Sequence, residues 1–190
     1  MMTSYTLAED AARFLLGHLG VRCDGELDET PMRMVRALAE LTSSVRDGFD
    51  PAPLLARQFS PPGDVPQLVA VRGITFTSLC EHHVMPFTGT ATVAYLPQPG
   101  AKIVGVSKIA RLVQGYARQP QMQERIGHQV ITAISKHLDV QGAGCMISGD
   151  HTCMTLRGAC SAGASMLTTH LFGCFFDAPV RAEFLALSKP

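Results

Sequence analysis

The chain has 190 residues, which suits one compact domain with a full hydrophobic core. Its hydrophobic content of 46% is ordinary for a globular protein, and no segment approaches the ~18 unbroken apolar residues of a membrane span. Sixteen Lys and Arg residues balance sixteen Asp and Glu residues, which excludes an overall basic field for nucleic acid or anionic lipid. We therefore expect neither a nucleic acid nor a membrane as partner, while a local cationic site for a small anion stays open.

The start of the chain and its cysteines indicate the compartment. Residues 1–10 have neither the basic n-region nor the apolar h-region of a secretory signal. A cytoplasmic location is therefore expected, where the six cysteines stay reduced. Reduced cysteines favour metal binding, catalysis or packing over disulfide bonds.

Two helices are predicted near the N-terminus. Thr6 and Glu9 form a capping box ahead of an apolar periodic segment that stops at Gly20. Thr30 and Pro31 are typical of a second helix start, with a hydroxyl at the N-cap and a proline in the first turn.

The second predicted helix carries a pair of arginines. Arg33 and Arg36 lie three residues apart and therefore share one helix face. Such a pair is either a solvated surface or a clamp for an anion.

From residue 67 the pattern changes to alternating strands and amphipathic helices. Residues 47–66 before it are rich in proline and glycine, which is typical of a linker. We therefore divide the chain into N-terminal helices with a linker, residues 1–66, and a larger unit, residues 67–190. Strands are predicted over 68–80, 88–96, 103–106, 145–156 and 167–176, and helices from Ser107, from Pro120 and over 180–187. Two strand pairs separated by a helix pair predict an α+β fold, an antiparallel sheet with helices on one face.

Four consecutive residues, Cys80-Glu81-His82-His83, concentrate metal-binding chemistry. Zinc prefers cysteine sulfur and histidine nitrogen, and a separation of three lets Cys80 and His83 face one ion if the backbone bends. Pro86 and Gly89 downstream favour such a bend. The alternative is a buried cysteine beside surface histidines. Two ligands do not close a zinc site, so another segment has to supply a third.

A third ligand is predicted on the strand that passes residue 153. His151 and Cys153 lie two residues apart and would project from the same strand face. Cys80, His83 and Cys153 then form a Cys₂His set with a fourth position for water, which is the catalytic rather than the structural arrangement. Zinc lowers the pKa of such a water to about 7, and His82 and His151 could shuttle protons beside it. The alternative is a half-buried strand with a core cysteine.

The same ligand chemistry occurs in another class of enzyme. Zinc deaminases use one histidine and two cysteines, within a His-x-Glu motif and a later Pro-Cys-x-x-Cys motif. Neither motif occurs in this sequence, so a deaminase interpretation is weak.

Four motifs of this chain recur together in one enzyme family. They are Cys80-Glu81-His82-His83, the segment Gly-Val-Ser-Lys-Ile-Ala-Arg at 105–111, the segment 118–125, and His-Thr-Cys-Met-Thr-Leu-Arg-Gly at 151–158. In this order and at these spacings they resemble the type I GTP cyclohydrolases, over most of the chain. Four motifs in register are far more specific than any one of them alone.

The resemblance implies a reaction and the residues that perform it. The family hydrolyses GTP at C8 of guanine, releases formate and rearranges the ribose to give 7,8-dihydroneopterin triphosphate, the first step of folate and pterin biosynthesis. By similarity Cys80, His83 and Cys153 hold Zn²⁺, while His82 and His151 are the acid and base beside C8.

The resemblance also implies which residues contact GTP. Glu124, with Gln123 beside it, matches the family's carboxylate that binds guanine. Such a carboxylate accepts two hydrogen bonds from the edge of the base. The positions that match the family's triphosphate contacts are Ser107, Lys108, Arg111 and Arg157, with Arg33 and Arg36 contributed by a neighbouring subunit. The residue types alone also allow an exposed helix residue at 124, a helix cap at 107 and a solvated side chain at 111.

The family's assembly follows from the same resemblance. Its tunnelling fold consists of ββααββ units whose sheets join around a central channel, usually as a decamer of two face-to-face pentamers. The resemblance therefore implies a homodecamer whose sites are shared between subunits.

One segment departs from the family pattern and leaves other hypotheses open. Residues 164–170 include Met166, Leu167 and His170, where the family tends to carry a run of threonine and serine. Loss of hydroxyls there could alter packing near the site or a subunit contact.

The remaining hypotheses are a nitrile reductase of the same fold, which would consume NADPH, and a zinc-stabilised scaffold without turnover.

Overall fold

The computed structural model describes residues 5–63 and 65–188. The first four residues of the predicted N-terminal segment, residue 64 of the predicted linker and the last two residues lie outside the described residues. Within the described ranges, no helix combines the length and the apolar character that crossing a membrane requires.

The N-terminal quarter of the chain is helical. Its helices are α1 (Thr6–His18), α2 (Thr30–Leu41), α3 (Ser43–Asp47) and α4 (Pro51–Leu55), with a 3₁₀ turn at Gly25–Leu27. The two predicted helices are therefore confirmed, although Tyr5 and Glu29 occupy their N-cap positions, one residue before the predicted caps. The predicted linker contains the short helix α4.

The rest of the chain alternates between strands and helices. The strands are β1 (Gln58–Phe59), β2 (Val69–Cys80), β3 (Pro86–Pro97), β4 (Ile103–Val104), β5 (Pro120–Gln121), β6 (Val140–His151) and β7 (Met166–Gly173). The helices are α5 (Val106–Ala117), α6 (Gln123–His137), α7 (Thr152–Thr155) and α8 (Ala178–Leu187), and a 3₁₀ turn at Cys174–Phe176 precedes α8.

Five strands form the main sheet in the order β5-β2-β3-β6-β7. The pairs β2–β3, β3–β6 and β6–β7 are antiparallel, whereas the two-residue strand β5 runs parallel to β2. The strands β1 and β4 form a separate antiparallel pair. The α+β class is thereby confirmed, with one short parallel pairing that the sequence did not predict.

Helices α5 and α6 cover one face of the sheet and enclose the main core. Alternate strand residues such as Val93, Cys145 and Ile147 point into this core, where Leu112 and Ile134 of the two helices meet them. The predicted packing of helices on one face therefore holds for α5 and α6.

Helix α8 packs on the opposite face, which corrects the prediction for the C-terminal helix. Phe175 and Phe184 form a smaller fully buried cluster there with Ala94 of β3. Their rings lie where a side chain at Gly144 would stand, at 2.8 and 2.9 Å from an ideal Cβ position. The absence of a side chain at this glycine therefore lets the two phenylalanines cover the sheet.

The N-terminal segment is joined to the main core by aromatic and aliphatic packing. Leu55 of α4 is fully buried within that core, and the ring of Phe49 meets Tyr116 edge-on with centroids 5.0 Å apart. The Ser44 hydroxyl donates a hydrogen bond of 2.7 Å to the carbonyl of Gly115. These contacts fix the end of the helical segment against α5.

Candidate metal centre and active site

A strained turn follows β2 and brings Cys80 and His83 together. The amide of Val84 donates to the carbonyl of Cys80 over 2.8 Å, and the amide of Cys80 donates to the carbonyl of Met85 over 2.8 Å. Val84 has a φ of 54°, a left-handed conformation that is an outlier for a β-branched residue. The bend predicted from the sequence is confirmed, and its strain is of the kind that collects at functional sites.

The third candidate ligand lies on a helical turn rather than on a strand. β6 ends at His151, and the chain then forms α7, which contains Cys153. The prediction that His151 and Cys153 share one strand face is therefore wrong, because the strand stops between them. The turn instead directs Cys153 towards Cys80.

Cys80, His83 and Cys153 form one cluster of potential metal ligands. Their donor atoms all lie within 4.8 Å of one another, and Cys80 Sγ is 3.5 Å from His83 Nδ1. In tetrahedral zinc, a sulfur at about 2.3 Å and a nitrogen at about 2.0 Å stand about 3.5 Å apart. The donor types and their spacing therefore fit one divalent ion of the zinc type.

The electrostatics of the two thiols also fit a cation. Burial raises the pKa of the Cys153 thiol, and the neighbouring Cys80 raises it further, while Arg157 acts in the opposite direction. Two thiolates in one small space repel each other, and a cation between them removes that penalty.

His82 lies beside the cluster and is not one of its three members. Its ring is exposed, with Nδ1 4.0 Å from Cys80 Sγ and Nε2 3.9 Å from a carboxylate oxygen of Glu81. The ring of His82 is therefore accessible to solvent and to a bound molecule.

His151 is held by stacking and by one hydrogen bond. Its ring lies parallel to Phe87, its partner across β3 and β6, with centroids 4.2 Å apart. Its Nε2 is 3.1 Å from Oε1 of Gln123. Burial lowers the pKa of His151, against smaller opposite effects of Glu124 and Asp150, which favours the neutral ring.

The side chain of Gln123 determines which nitrogen of His151 carries the proton. Gln123 is fully buried, and its amide nitrogen donates to the carbonyls of Ile147 and Met166 at 3.1 and 2.9 Å. Its Oε1 is therefore an acceptor, so the Nε2 of neutral His151 must be the donor. The free lone pair of His151 is consequently on Nδ1.

Glu124 is exposed in the first turn of α6, next to Gln123. Its charge raises the pKa of both His151 and His170 against the effect of burial. The carboxylate thus lies close enough to His151 and His170 to act on both, and it is free of the core.

One ion pair of the site was not predicted from the sequence. Glu81 and Arg125 form two hydrogen bonds of 2.5 and 3.1 Å, and the guanidinium holds the pKa of Glu81 below its usual value. A charged residue between two metal ligands was the only signal, because its partner is 44 positions away.

The predicted triphosphate residues of α5 lie away from the metal cluster. The amide of Val104, just before α5, donates to the hydroxyl of Tyr95 over 3.0 Å. From Tyr95 back to Phe87, the strand covers eight steps of about 3.3 Å, or about 26 Å. Ser107 and Lys108 therefore stand at the opposite end of the sheet from the ligand cluster, and Arg111 is exposed one helix turn later.

The other predicted anion contacts are exposed. Arg157 follows α7 and is close enough to Cys153 to affect its pKa. Arg33 and Arg36 lie on α2, where Arg33 pairs with Glu29 at 2.7 Å. The chain itself therefore brings Arg157 and His82 towards the metal cluster, while Glu124 lies near His151.

Comparison with known proteins adds the family. The family model described as GTP cyclohydrolase I matches residues 8–189. GTP cyclohydrolase 1 of Rhodopirellula baltica (strain DSM 10527 / NCIMB 13988 / SH1) is 42% identical over 181 residues, covering 94% of this chain and 76% of the relative. GTP cyclohydrolase 1 of Geobacillus sp. (strain WCH70) is 40% identical over 188 residues, covering 98% of this chain and 97% of the relative.

A solved structure, the archaeosine synthase QueF-Like in the apo form, matches with a TM-score of 0.47 and 14% identity. That match covers 57% of this chain and 96% of the other. The sequence matches are much closer and extend over almost all of the chain, including the ligand cluster and both histidines. The chain therefore belongs to the GTP cyclohydrolase I family of enzymes.

Proposed function

We propose that this enzyme hydrolyses GTP at C8 of guanine with zinc, releases formate and rearranges the ribose to give 7,8-dihydroneopterin triphosphate. The observation that carries the proposal is the cluster of Cys80, His83 and Cys153, which two distant segments contribute. Family membership supports GTP as the substrate, and the donor set supports zinc as the metal.

The cluster is the proposed zinc site. Two cysteines and one histidine leave a fourth tetrahedral position open, as catalytic zinc requires. Zinc in this site supplies Lewis acidity and lowers the pKa of a coordinated water to about 7.

His151 and His82 are the proposed proton carriers. The neutral His151 presents a lone pair on Nδ1, because Gln123 occupies its Nε2–H. It can therefore accept a proton as water adds to C8 and return it when the ring C–N bond breaks. His82 is exposed and close to Cys80, so it can exchange a second proton with the substrate.

Glu124 and Gln123 have different proposed roles near the guanine base. The exposed carboxylate of Glu124 is suited to accept hydrogen bonds from N1–H and the 2-amino group of guanine. The side-chain amide of Gln123 is buried in contacts with β6, β7 and His151. We therefore assign Gln123 to positioning His151 instead of direct contact with the base.

The proposed triphosphate contacts come from more than one subunit. Ser107 and Lys108 stand at the end of the sheet near Tyr95, about 26 Å along β3 from the end near the metal cluster of their own chain, and Arg111 follows one helix turn later. Arg157 is near that cluster, and Arg33 and Arg36 are exposed on α2. A site that uses all six requires neighbouring chains, which supports a homodecamer of the tunnelling-fold type.

The proposed pathway and compartment follow from the product and the thiols. A dihydropterin triphosphate is the entry compound of folate and pterin biosynthesis. All six cysteines are free, and a site with two thiolate ligands favours a reducing compartment, so we place the enzyme in the cytoplasm.

The experiment is a turnover assay on the zinc-loaded protein. We expect GTP to yield one formate per pterin, detected as a fluorescent product after oxidation. Cys153→Ala should lose bound zinc and at least about 10²-fold in kcat, because it removes one of three ligands. Cys160→Ala is the matched control, since this exposed free cysteine lies outside the cluster. A Cys153→Ala protein with full zinc content and full activity would refute the assignment.

A further inference from the structure

Glu81 and Arg125 form an ion pair that links the two sides of the site. Arg125 Nη1 is 2.5 Å from Glu81 Oε2, and Nη2 is 3.1 Å from Oε1, a two-point geometry that fixes both side chains. The side chains are 26% exposed for Glu81 and 37% for Arg125, so the pair lies at the rim of the core.

The backbone around the pair is joined as well. The amide of Glu81 donates to the carbonyl of Gln121 over 3.1 Å, and Cys80 pairs with Gln121 in the parallel bridge between β2 and β5. The Gln121 side chain is buried, and its amide nitrogen donates to the carbonyl of Tyr116 and to Gln129. The ion pair therefore closes a rigid connection between the turn and the start of α6.

The positions of the two residues in the chain suggest the role of the pair. Glu81 lies between the metal ligands Cys80 and His83, whereas Arg125 directly follows Glu124 on α6. We propose that the Glu81–Arg125 pair is a positioning pair that sets the distance between the metal ligands and the guanine-binding carboxylate. This proposal rests on the proposed function of the site.

The same carboxylate also affects one proposed proton carrier. Oε1 of Glu81 accepts from Arg125 and lies 3.9 Å from Nε2 of His82. Rotation of Glu81 away from Arg125 would therefore disturb both the metal-binding turn and the exposed His82 ring. Both Nη atoms of Arg125 donate to the Glu81 carboxylate. We therefore assign Arg125 to positioning the site and not to binding the triphosphate.

The proposal predicts a particular kinetic change. Reaction requires C8 and the activated water to meet at close range, and a displacement of about 1 Å can cost on the order of 10²-fold in rate. Glu81→Gln and Arg125→Gln should each lower kcat at least about tenfold at saturating zinc, while KM changes less than about threefold, because the groups that bind GTP remain. Arg125→Lys keeps the charge but loses the second hydrogen bond and should recover part of kcat.

The double variant and a control separate positioning from general damage. Glu81→Gln combined with Arg125→Gln should be no slower than the worse single variant, because the two residues act as one unit. Arg22→Gln removes the exposed pair Arg22–Asp24 and is the matched control, with unchanged kcat. Additive losses in the double variant, or full kcat in either single variant, would overturn the proposal.

A binding measurement decides the matter independently of turnover. In competition with a chromophoric chelator, the two single variants should bind zinc about tenfold more weakly than wild type, since the turn that holds two ligands is loosened. If wild type makes no formate, the proposed function fails. The zinc measurement alone then tests whether the Glu81–Arg125 pair supports the metal-binding turn. Wild-type zinc affinity in both variants would in that case overturn the pair as well.

Discussion

At the scale of single residues, the buried amide of Gln123 is the most constrained group of the site. It donates to two strand carbonyls and to the Thr168 hydroxyl, and its oxygen receives His151. The amide nitrogen and the amide oxygen are thus both engaged inside the protein. The orientation of one glutamine therefore fixes the tautomer of the proposed base.

Gly149 makes room for this glutamine, which gives a prediction. An ideal Cβ at Gly149 would stand 2.3 Å from Gln123 Oε1. Gly149→Ala should therefore displace the amide, lower the free energy of unfolding by about 1–3 kcal/mol and reduce kcat about ten- to hundredfold. Chemical denaturation and steady-state kinetics measure the two effects.

Gly17 supplies the matched control for this substitution. It lies on the exposed surface of α1, where an added Cβ meets nothing within 4 Å. Gly17→Ala should raise the free energy of unfolding by about 0.5–1 kcal/mol, because alanine favours helix, and should leave kcat unchanged. Equal stability of Gly149→Ala and wild type would contradict the close approach.

The residue types of the ligands could be predicted from the sequence, whereas their supports could not. Cys80, His83 and Cys153 are recognisable because zinc uses few side-chain types at characteristic spacings. Glu81 and Arg125 are ordinary charged residues, and their relation exists only after β2 and β5 pair. Pair formation between distant segments has no local pattern in a single sequence.

At the scale of elements, strict alternation and helical periodicity predicted most of the long strands and helices within about three residues, whereas β6 begins and ends five residues before its predicted bounds. The departures occur where tertiary pairing decides. β5 has two residues and exists because Pro120 and Gln121 pair with β2. β6 stops at His151 because α7 follows, although the apolar pattern continues beyond it. Short elements carry too few residues to show a period.

His170 on β7 gives a prediction for the dependence of stability on pH. Its Nε2 is buried without a hydrogen-bond partner among the described residues, and its ring packs against Gly127 of α6. Burial is the chief cause that lowers its pKa, His128 of α6 lowers it further, and Glu124 of α6 acts in the opposite direction.

The sign follows from proton linkage. Below the ordinary histidine pKa of 6.5, the unfolded chain binds a proton at His170 more readily than the folded protein does, so stability falls with falling pH. Well above pH 6.5 neither the folded nor the unfolded state binds this proton, so this loss of stability is absent. His170→Asn should therefore lose less stability than wild type between pH 7.5 and about 5.5 in denaturant unfolding. Thr169→Asn, exposed on the same strand, should keep the wild-type slope.

An unchanged slope in His170→Asn would mean that this histidine is not the buried group responsible. The position also belongs to the segment that departs from the family pattern of threonine and serine. The structure accounts for it locally, because the ring occupies the space that Gly127 leaves open, where an added Cβ would stand 2.3 Å from the ring. A threonine or serine would leave part of that space unfilled.

At the scale of the whole molecule, two parts of the proposed site lie apart within one chain. The metal cluster lies where β2 and β6 end, and the start of α5 lies at the opposite end of the sheet. The fold class could be predicted from the order of elements, but this separation could not, because it depends on the direction of α5 along β2. It is the physical basis for expecting shared sites.

Subunit mixing tests the shared site. Cys153→Ala and Lys108→Ala should each be inactive alone. Coexpressed in equal amounts, they should regain about a quarter of wild-type activity, because random assortment places both intact residues in that share of sites. Formate release measures the recovery. Cys153→Ala mixed with His83→Ala should recover nothing, since both residues belong to the cluster of one chain, and recovery there would contradict the assignment.

The origin of the ligands in two distant segments has a consequence for how the enzyme matures. A growing chain that has just exposed Cys80 and His83 holds two ligands, and Cys153 is synthesised only after β3, α5, α6 and the whole of β6. All three candidate ligands therefore come together only when β2, β3 and β6 have paired. The buried core that assembles this sheet consists of apolar side chains from strands and helices. We therefore expect metal supply to limit how much of the enzyme is active more than how much of it folds.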